Sequence, residues 1–165
     1  IVLTGKYKSS ILYSPYGQAE LEQAKEMLAS IGGQELIGRS YISLSQGEKQ
    51  LLLIARSLME KPELLILDEA TSGLDLFARE RLLEQIGKIT QMDQAPTILY
   101  VTHHVEEITA AMDHVLLLKE GEIIAQGPKE DILQKEVMDR FYPQPVELIE
   151  LGEDRYFVKV EVRSS

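Results

Sequence analysis

An apolar run that ends in two carboxylates is the feature that most constrains how this chain folds. Residues Leu64 to Leu67 are four consecutive large aliphatic residues, and Asp68 and Glu69 follow them directly. A run of this length without alternation is typical of a parallel strand that is covered on both faces. In open α/β sheets, ligands bind beyond the carboxyl ends of such strands. The run therefore predicts a central strand of an α/β fold with a polar site at its end.

The segments around this strand predict alternating helices and strands. Apolar residues recur at helical spacing in some segments, and β-branched or apolar runs mark further strands. Gly32-Gly33 and Lys61-Pro62 end two of the helices. We expect a turn over 14–17, helices over about 21–31, 45–59, 82–89 and 105–112, strands over 64–67, 97–101, 114–119 and 122–126, a short helix after Pro128 and two strands around Gly152.

Composition limits the classes of function. The chain has 165 residues, and its hydrophobic content of 44% is enough for about one domain with a sizeable core. Its 27 acidic residues outnumber 17 basic ones, which argues against a groove for nucleic acid and against a polybasic membrane contact. The absence of cysteine excludes disulfides and thiolate metal sites and fits a reducing cytosol. No apolar run approaches the roughly 20 residues of a membrane span, so we expect any membrane role to come through a partner.

Four short motifs then follow one another in order. The segment Leu44-Ser45-Gln46-Gly47-Glu48-Lys49-Gln50 precedes the apolar strand by one helix. Ser72-Gly73-Leu74-Asp75 follows the two carboxylates, and Thr102-His103 ends the next predicted strand. In this order they resemble the signature, Walker B, D-loop and switch histidine of ATP-binding-cassette (ABC) ATPases. The resemblance is specific over about residues 41–127.

The resemblance implies an α/β fold of the P-loop NTPase type. It would comprise the helical subdomain and the second half of the parallel-sheet core of a cassette, followed by C-terminal β-strands. The corresponding boundaries are 1–60 for the helical, signature-bearing subdomain and 61–127 for the partial ATPase core. Residues 128–165 would form a C-terminal helix and β-strand extension.

The resemblance also implies nucleotide contacts at the signature. A helix start carries unpaired amides and about half a positive charge, so it favours phosphate. Ser45 and Gly47 would meet the γ-phosphate of ATP bound to the opposite subunit of a dimer, and Gln46 and Glu48 complete the nucleotide-binding motif. Taken alone, Ser45 and Glu48 indicate no more than a capping box at a helix start.

By the same resemblance, Asp68 is the metal ligand and Glu69 the catalytic base. Asp68 would hold Mg²⁺ through water, since this ion keeps several waters and takes few carboxylates. Glu69 would orient and deprotonate the attacking water, and a general base typically contributes about 10²–10⁴ in rate. The alternative is that the two acids only open a loop or cap a helix.

Two further residues receive roles from the resemblance. His103 would contact the γ-phosphate, and we prefer it to His104 because it directly follows Thr102 at the strand end. A lone histidine in such a place is usually structural. Asp75 would bridge the two subunits near the hydrolysis site, whereas the alternative is a simple N-cap for the helix that starts at Leu76.

The sequence departs from the commonest family form at four positions. Gln46 stands in place of a glycine, Glu48 in place of a glutamine and Ala70 in place of a proline. Leu51 stands where arginine is usual, which removes one positive charge near the signature helix. All four changes look compatible with the family's chemistry.

One segment imitates a phosphate-binding loop. Residues Gly33 to Ser40 have the spacing of a Walker A motif, with Arg39 in place of lysine. A true phosphate loop leaves a strand and enters a helix, whereas this segment follows the helical residue Ile31. We interpret it as a linker between helices. The chain therefore resembles the C-terminal part of a cassette and lacks the Walker A loop, the glutamine loop and the base-stacking aromatic.

The function implied is that of an ATP-binding, ATP-hydrolysing subunit of an ABC transporter. Hydrolysis of ATP, with Mg²⁺, in a dimer of cassettes would drive transport across a membrane. The partners would be a second cassette and a transmembrane subunit or domain, which residues of about 3–30 would face; no nucleic acid is expected. We expect the protein in the cytoplasm, at the inner face of the membrane, and the 165-residue chain to be inactive alone.

Two alternatives stay open at this point. The first is a DNA-repair or chromosome-maintenance ATPase of the same superfamily, whose signature can also read Ser-x-Gly-Glu-Lys. The runs Ala55-Arg56-Ser57-Leu58 and Val101-Thr102-His103 are closer to transporter cassettes, and no coiled-coil heptads occur. The second alternative is a non-catalytic module that serves only for dimerisation or regulation.

Overall fold

The computed structural model describes residues 1–6, 17–152 and 154–161, which fall into two compact units. The first unit is Ile1–Thr102 and the second is His103–Ser165. The turn predicted over 14–17 lies outside the described residues apart from Gly17. The three-part division inferred from the sequence stays a prediction about cassette subdomains.

Within its described residues, the first unit has four α-helices and a parallel pair of strands that share one hydrophobic core. Strand β1 pairs with β2 in parallel, from Leu64 opposite Thr97 to Asp68 opposite Val101. Short 3₁₀ turns at Gln34–Leu36 and Tyr41–Ser43 lie between α2 and α3. The elements are α1 (Val2–Lys6), α2 (Gln18–Ser30), α3 (Gln46–Leu58), β1 (Leu64–Asp68), α4 (Leu76–Thr90) and β2 (Thr97–Val101).

Helix α3 lies at the centre of this unit because its apolar stripe is buried. Leu51, Ile54, Ala55 and Leu58 are each at most 3% exposed, as expected for the core-facing side of an amphipathic helix. Helix α1, which the sequence did not predict, packs closely on α3: a Cβ atom on Gly5 would lie 1.9 Å from the carbonyl oxygen of Arg56. Only glycine permits this approach.

Strand β1 departs from the sequence-based expectation. Leu65 and Leu67 are buried, but Leu64 and Ile66 are 52% and 57% exposed. The prediction of a strand covered on both faces is therefore wrong for the described part of this chain. An unbroken apolar run indicates that both faces of a strand are hydrophobic, but it does not indicate whether a second layer of the structure covers each face.

The second unit consists of two β-hairpins and short helices around its own core. Strands β3 and β4 are antiparallel and turn at Glu120 and Gly121, whose φ angles of 53° and 83° are those of a type I′ hairpin turn. Met138 and Val146 are nearly inaccessible in its core. The elements are β3 (His114–Lys119), β4 (Glu122–Pro128), α5 (Lys129–Ile132), α6 (Lys135–Phe141), β5 (Val146–Gly152) and β6 (Arg155–Val160).

The helix predicted over 105–112 is wrong. The structure has only a 3₁₀ turn at Val105–Glu107. The Thr109 hydroxyl accepts a hydrogen bond from the amide of Ala111 at 3.3 Å, and the amide of Met112 bonds to the carbonyl of Thr109. Threonine side chains compete with helix hydrogen bonds in this way, so a tight turn replaces the helix.

Among the described residues, no helix has the length and apolarity to cross a membrane.

Candidate functional site

The signature motif forms the start of α3. Ser45 is the N-cap, and its hydroxyl accepts a hydrogen bond from the amide of Glu48 at 3.3 Å. The Glu48 carboxylate accepts one from the amide of Ser45 at 2.7 Å, so the predicted capping box is confirmed. Gln46 is exposed in the first turn. Helix α3 therefore presents an exposed N-terminus at the predicted signature.

Glu48 also binds a residue that the sequence did not single out for this role. Both terminal nitrogens of Arg39 donate to its carboxylate. The Ser45 amide and the Arg39 guanidinium stabilise the charged form and hold the pKa of Glu48 below its ordinary value. Arg39 is thereby committed to Glu48. This contact spans nine residues with no helical spacing, and no local pattern predicts it.

The segment from Gly33 to Ser40 is a linker, as predicted. It leaves α2 and forms a 3₁₀ turn at Gln34–Leu36, so it lacks the strand-to-helix geometry of a phosphate loop. A Cβ atom on Gly33 would lie 2.6 Å from a methyl group of Leu28. Position 33 therefore requires glycine, because the chain passes so close to Leu28 in the last turns of α2 that a side chain would not fit.

Asp68 and Glu69 stand at the carboxyl end of β1, and both are exposed. Glu69 has φ of +45°, a left-handed conformation that costs a non-glycine residue roughly 1–2 kcal/mol. Its amide donates to the carbonyl of Val101 on β2 at 2.9 Å, and its own carbonyl accepts from the amide of Ser72 at 2.9 Å. The backbone bonds offset the strain and turn the chain sharply just after Asp68.

The turn then enters α4 through the predicted D-loop. Asp75 is the N-cap of α4, and its carboxylate accepts from the amide of Ala78 at 3.0 Å. A Cβ atom on Gly47 would lie 3.4 Å from the Cβ of Ala78. The small residues thus allow the first turns of α3 and α4 to touch. The structure brings the signature and the D-loop together.

His103 is the first residue of the second unit and follows β2 through Thr102. It is exposed, and its ring centroid lies 4.0 Å from that of His104. His104 is in turn 3.4 Å from a carboxylate oxygen of Glu106. The choice between the two histidines stays a prediction.

The donor set fits Mg²⁺ better than a protein-caged metal. Among the described residues, no group of three or more His, Cys, Asp or Glu side chains is arranged to hold a metal ion. Mg²⁺ needs no such cage, because it is bound by one or two carboxylates together with water and substrate phosphates. Asp68 offers an exposed carboxylate of this kind.

Known proteins are similar to this chain in sequence and in fold. The ABC transporter family matches residues 6–72. An ABC transporter ATP-binding protein of Streptococcus mutans is 65% identical over 162 residues, which are 98% of this chain and 62% of that protein. The ABC transporter ATP-binding protein YmeB of Lactococcus lactis is 54% identical over 158 residues, or 96% of this chain and 61% of the relative.

The chain belongs to the ABC transporter ATP-binding protein family. A solved structure described as an inward-facing metal-chelate type ABC transporter superposes with a TM-score of 0.80 at 26% identity, covering 98% of this chain and 66% of the other. The predicted P-loop NTPase-like α/β fold is thereby confirmed. This chain spans less than two thirds of the length of the two relatives it matches above. These relatives are transporter proteins, which favours a transporter cassette over a DNA-repair ATPase.

Proposed function

We propose that the protein that carries this chain is the ATP-hydrolysing subunit of an ABC transporter. The observation that carries this proposal is the pair of exposed carboxylates at the end of β1, with Glu69 held in a left-handed conformation. Strain of this kind persists where the surrounding structure enforces it, and it concentrates at functional sites. Glu120 adopts the same conformation in an ordinary hairpin turn, so the conformation of Glu69 supports the proposal only together with the place of both acids at the carboxyl end of a strand, where ligands bind in α/β sheets.

The proposed chemistry assigns one task to each carboxylate. Asp68 would hold Mg²⁺, and the bound metal would supply neutralisation of phosphate charge. Glu69 orients the attacking water and takes its proton, since it is exposed at the strand end where ligands bind in α/β sheets.

The signature and the D-loop act on the nucleotide of a second cassette. Ser45, Gln46 and Gly47 place a hydroxyl and backbone amides at the exposed start of α3, where a phosphate is favoured. Glu48 maintains this start by capping it, and Asp75 meets the partner cassette from the adjoining start of α4. His103 senses the γ-phosphate.

The partners follow from this arrangement. A second cassette completes the nucleotide site, and a transmembrane subunit or domain couples it to transport. We place the protein at the inner face of the membrane, held there by that subunit. The 165-residue chain by itself does not hydrolyse ATP.

Substitution of Glu69 tests the proposal in the full-length protein that contains this chain. Glu69→Gln keeps the size and hydrogen bonding of the side chain and removes its basicity. We expect ATP hydrolysis, measured as phosphate release, to fall by about a hundredfold or more while ATP-bound dimers accumulate. Glu63→Gln is the matched control, because Glu63 lies just before the amino end of the same strand. Near-normal turnover of Glu69→Gln would assign the base to another residue.

A further inference from the structure

Two buried residues directly follow the exposed carboxylates Asp68 and Glu69 and hold the turn after β1 in the core. Ala70 and Thr71 follow Glu69 directly, and each is only 5% exposed. The chain therefore passes from solvent to core within two residues. The amide of Leu74 closes the next turn on the carbonyl of Thr71 at 3.1 Å. Because Thr71 lies only two residues after Glu69 in this turn, contacts that fix the position of Thr71 also restrict the position of Glu69.

A hydroxyl pair joins this turn to the neighbouring strand. The hydroxyl oxygens of Thr71 and Tyr100 are 3.1 Å apart and share a hydrogen bond. Tyr100 lies on β2 opposite Leu67, and its ring packs against the first core. A ring held by packing on a strand is a rigid support, so its hydroxyl defines where Thr71 can lie.

The same strand supports Glu69 through its backbone. Val101, next to Tyr100, accepts the amide hydrogen bond of Glu69 at 2.9 Å. Two successive residues of β2 thus hold the turn at two points, one at Glu69 and one at Thr71. With both hydrogen bonds in place, the backbone of Glu69 has a φ of +45°. Loss of either hydrogen bond would remove part of the constraint that maintains this left-handed conformation.

We propose that Tyr100 is a positioning residue for ATP hydrolysis, which acts through the Thr71 hydroxyl to hold the carboxylate of Glu69 in place for the attacking water. This rests on the proposed function of Glu69. The proposal gives the hydroxyl a task distinct from core packing, because the ring alone fills the core. Misplacement of a reacting group lowers turnover and leaves ground-state binding unchanged.

Kinetics of Tyr100→Phe in the full-length protein test the proposal. The change removes one oxygen and keeps the ring, so we expect the fold to survive. A neutral hydrogen bond corresponds to a loss of about three- to tenfold in kcat, with KM for ATP unchanged. Thr71→Val should give the same loss from the other side of the bond, and Thr71→Ser, which keeps the hydroxyl, should restore turnover. Tyr156→Phe, a matched control in the second core, should leave both constants unchanged.

The Glu69→Gln background separates positioning from general stability. If Tyr100 acts through Glu69, adding Tyr100→Phe to Glu69→Gln leaves the small residual rate unchanged. An equal loss in both backgrounds would show a structural role and overturn the proposal. Unchanged kcat in Tyr100→Phe and Thr71→Val, while Glu69→Gln is inactive, would overturn it and leave the function of Glu69 intact. A wild-type protein without ATP hydrolysis would overturn both.

Discussion

Ser45 and Glu48 satisfy each other's backbone amides at the start of α3. The amide of Ser45 donates to the Glu48 carboxylate at 2.7 Å, and the amide of Glu48 donates to the Ser45 hydroxyl at 3.3 Å. A serine hydroxyl has one proton to donate in addition to its acceptor lone pairs. Capping uses Ser45 as an acceptor, so the same side chain can donate to a phosphate. The cap and the proposed nucleotide contact are compatible roles.

The lowered pKa of Glu48 predicts a stability that depends on pH. Because the folded state holds this pKa below the ordinary value of 4.5, the charged cap stabilises the fold above that value. The contribution is lost as pH falls through the lower, folded-state pKa. We expect the free energy of unfolding to fall less between about pH 7 and pH 3 in Glu48→Gln than in the wild type.

Urea denaturation at several pH values checks this expectation. The difference between the two proteins isolates Glu48 from the other carboxylates, which titrate in both. Glu22→Gln is a suitable control, because Glu22 is an exposed acid whose ion pair with Lys25 lies within α2. Parallel curves for the wild type and Glu48→Gln would show that the cap carries no charge-dependent stability.

The second prediction concerns the exposed start of α3. Ser45→Arg places a long side chain where the partner's nucleotide is proposed to bind. In the full-length protein we expect ATP hydrolysis to be abolished, while ATP affinity of the isolated monomer stays nearly unchanged, since Ser45 acts across the dimer. Equilibrium titration of the monomer and phosphate release by the dimer measure the two quantities.

Ser57→Arg is the matched control for this substitution. Ser57 is exposed in the last turn of the same helix, about 18 Å along its axis from Ser45 at 1.5 Å per residue. It should retain hydrolysis. A large loss of monomer affinity in Ser45→Arg would place the signature and its nucleotide in one chain.

Sequence patterns predicted the elements whose signals are local. The capping box at Ser45, the strand ending at Asp68 and the turn at Glu120-Gly121 all depend on residues within a few positions of one another, and all are confirmed. One failure, the helix expected over 105–112, has a local cause in the Thr109 side chain, whereas the other failures have non-local causes. Helix α1 owes its place to the close approach of Gly5 to Arg56, a contact that no short-range pattern reveals.

The candidate site also combines features that the sequence predicts with features that it does not. Local motifs predicted its acids and helix starts, but not the side chains that hold those residues in place. Arg39 reaches Glu48 across nine positions, and the hydroxyls of Thr71 and Tyr100 meet across 29. Alternation along β2 could have placed Tyr100 on the core side, yet nothing in the sequence indicates which polar group its hydroxyl meets. Leu51, which replaces a family arginine, is 3% exposed and packs in the core.

The third prediction is that this 165-residue chain self-associates through the open face of β1 and β2. Four aliphatic side chains on that face are 42–57% exposed: Leu64, Ile66, Leu99 and Val101. At about 25 cal/mol per Å², covering even roughly 200 Å² stabilises an assembly by about 5 kcal/mol. Ile66→Thr with Leu99→Thr should therefore lower the apparent mass in sedimentation.

A matched aliphatic residue on a helix controls for general hydrophobicity. Leu53 is 37% exposed on α3, so Leu53→Thr removes exposed apolar surface from another face. It should leave sedimentation unchanged. A chain that sediments as a monomer at every concentration would contradict a role for the sheet face.

The last prediction is that this chain by itself binds Mg-ATP weakly. Affinity for a nucleoside triphosphate depends mainly on backbone amides and a lysine that surround the β- and γ-phosphates, with the metal held jointly by a loop hydroxyl and the strand-end Asp. Among the described residues, only the strand-end part of this arrangement is present: the segment from Gly33 to Ser40 is a linker, and Arg39 is engaged with Glu48. Asp68 and Glu69 add negative charge where the phosphates would approach.

Isothermal titration of the chain with Mg-ATP measures this affinity. The net charge of −10 opposes a polyanion, and one helix start with a hydroxyl can complete a phosphate site but cannot replace a loop of amides. We expect a dissociation constant of about a millimolar or weaker, roughly a thousandfold above a micromolar site and thus about 4 kcal/mol less binding free energy. A micromolar constant at one site per chain would show that residues 33–40 bind phosphate after all.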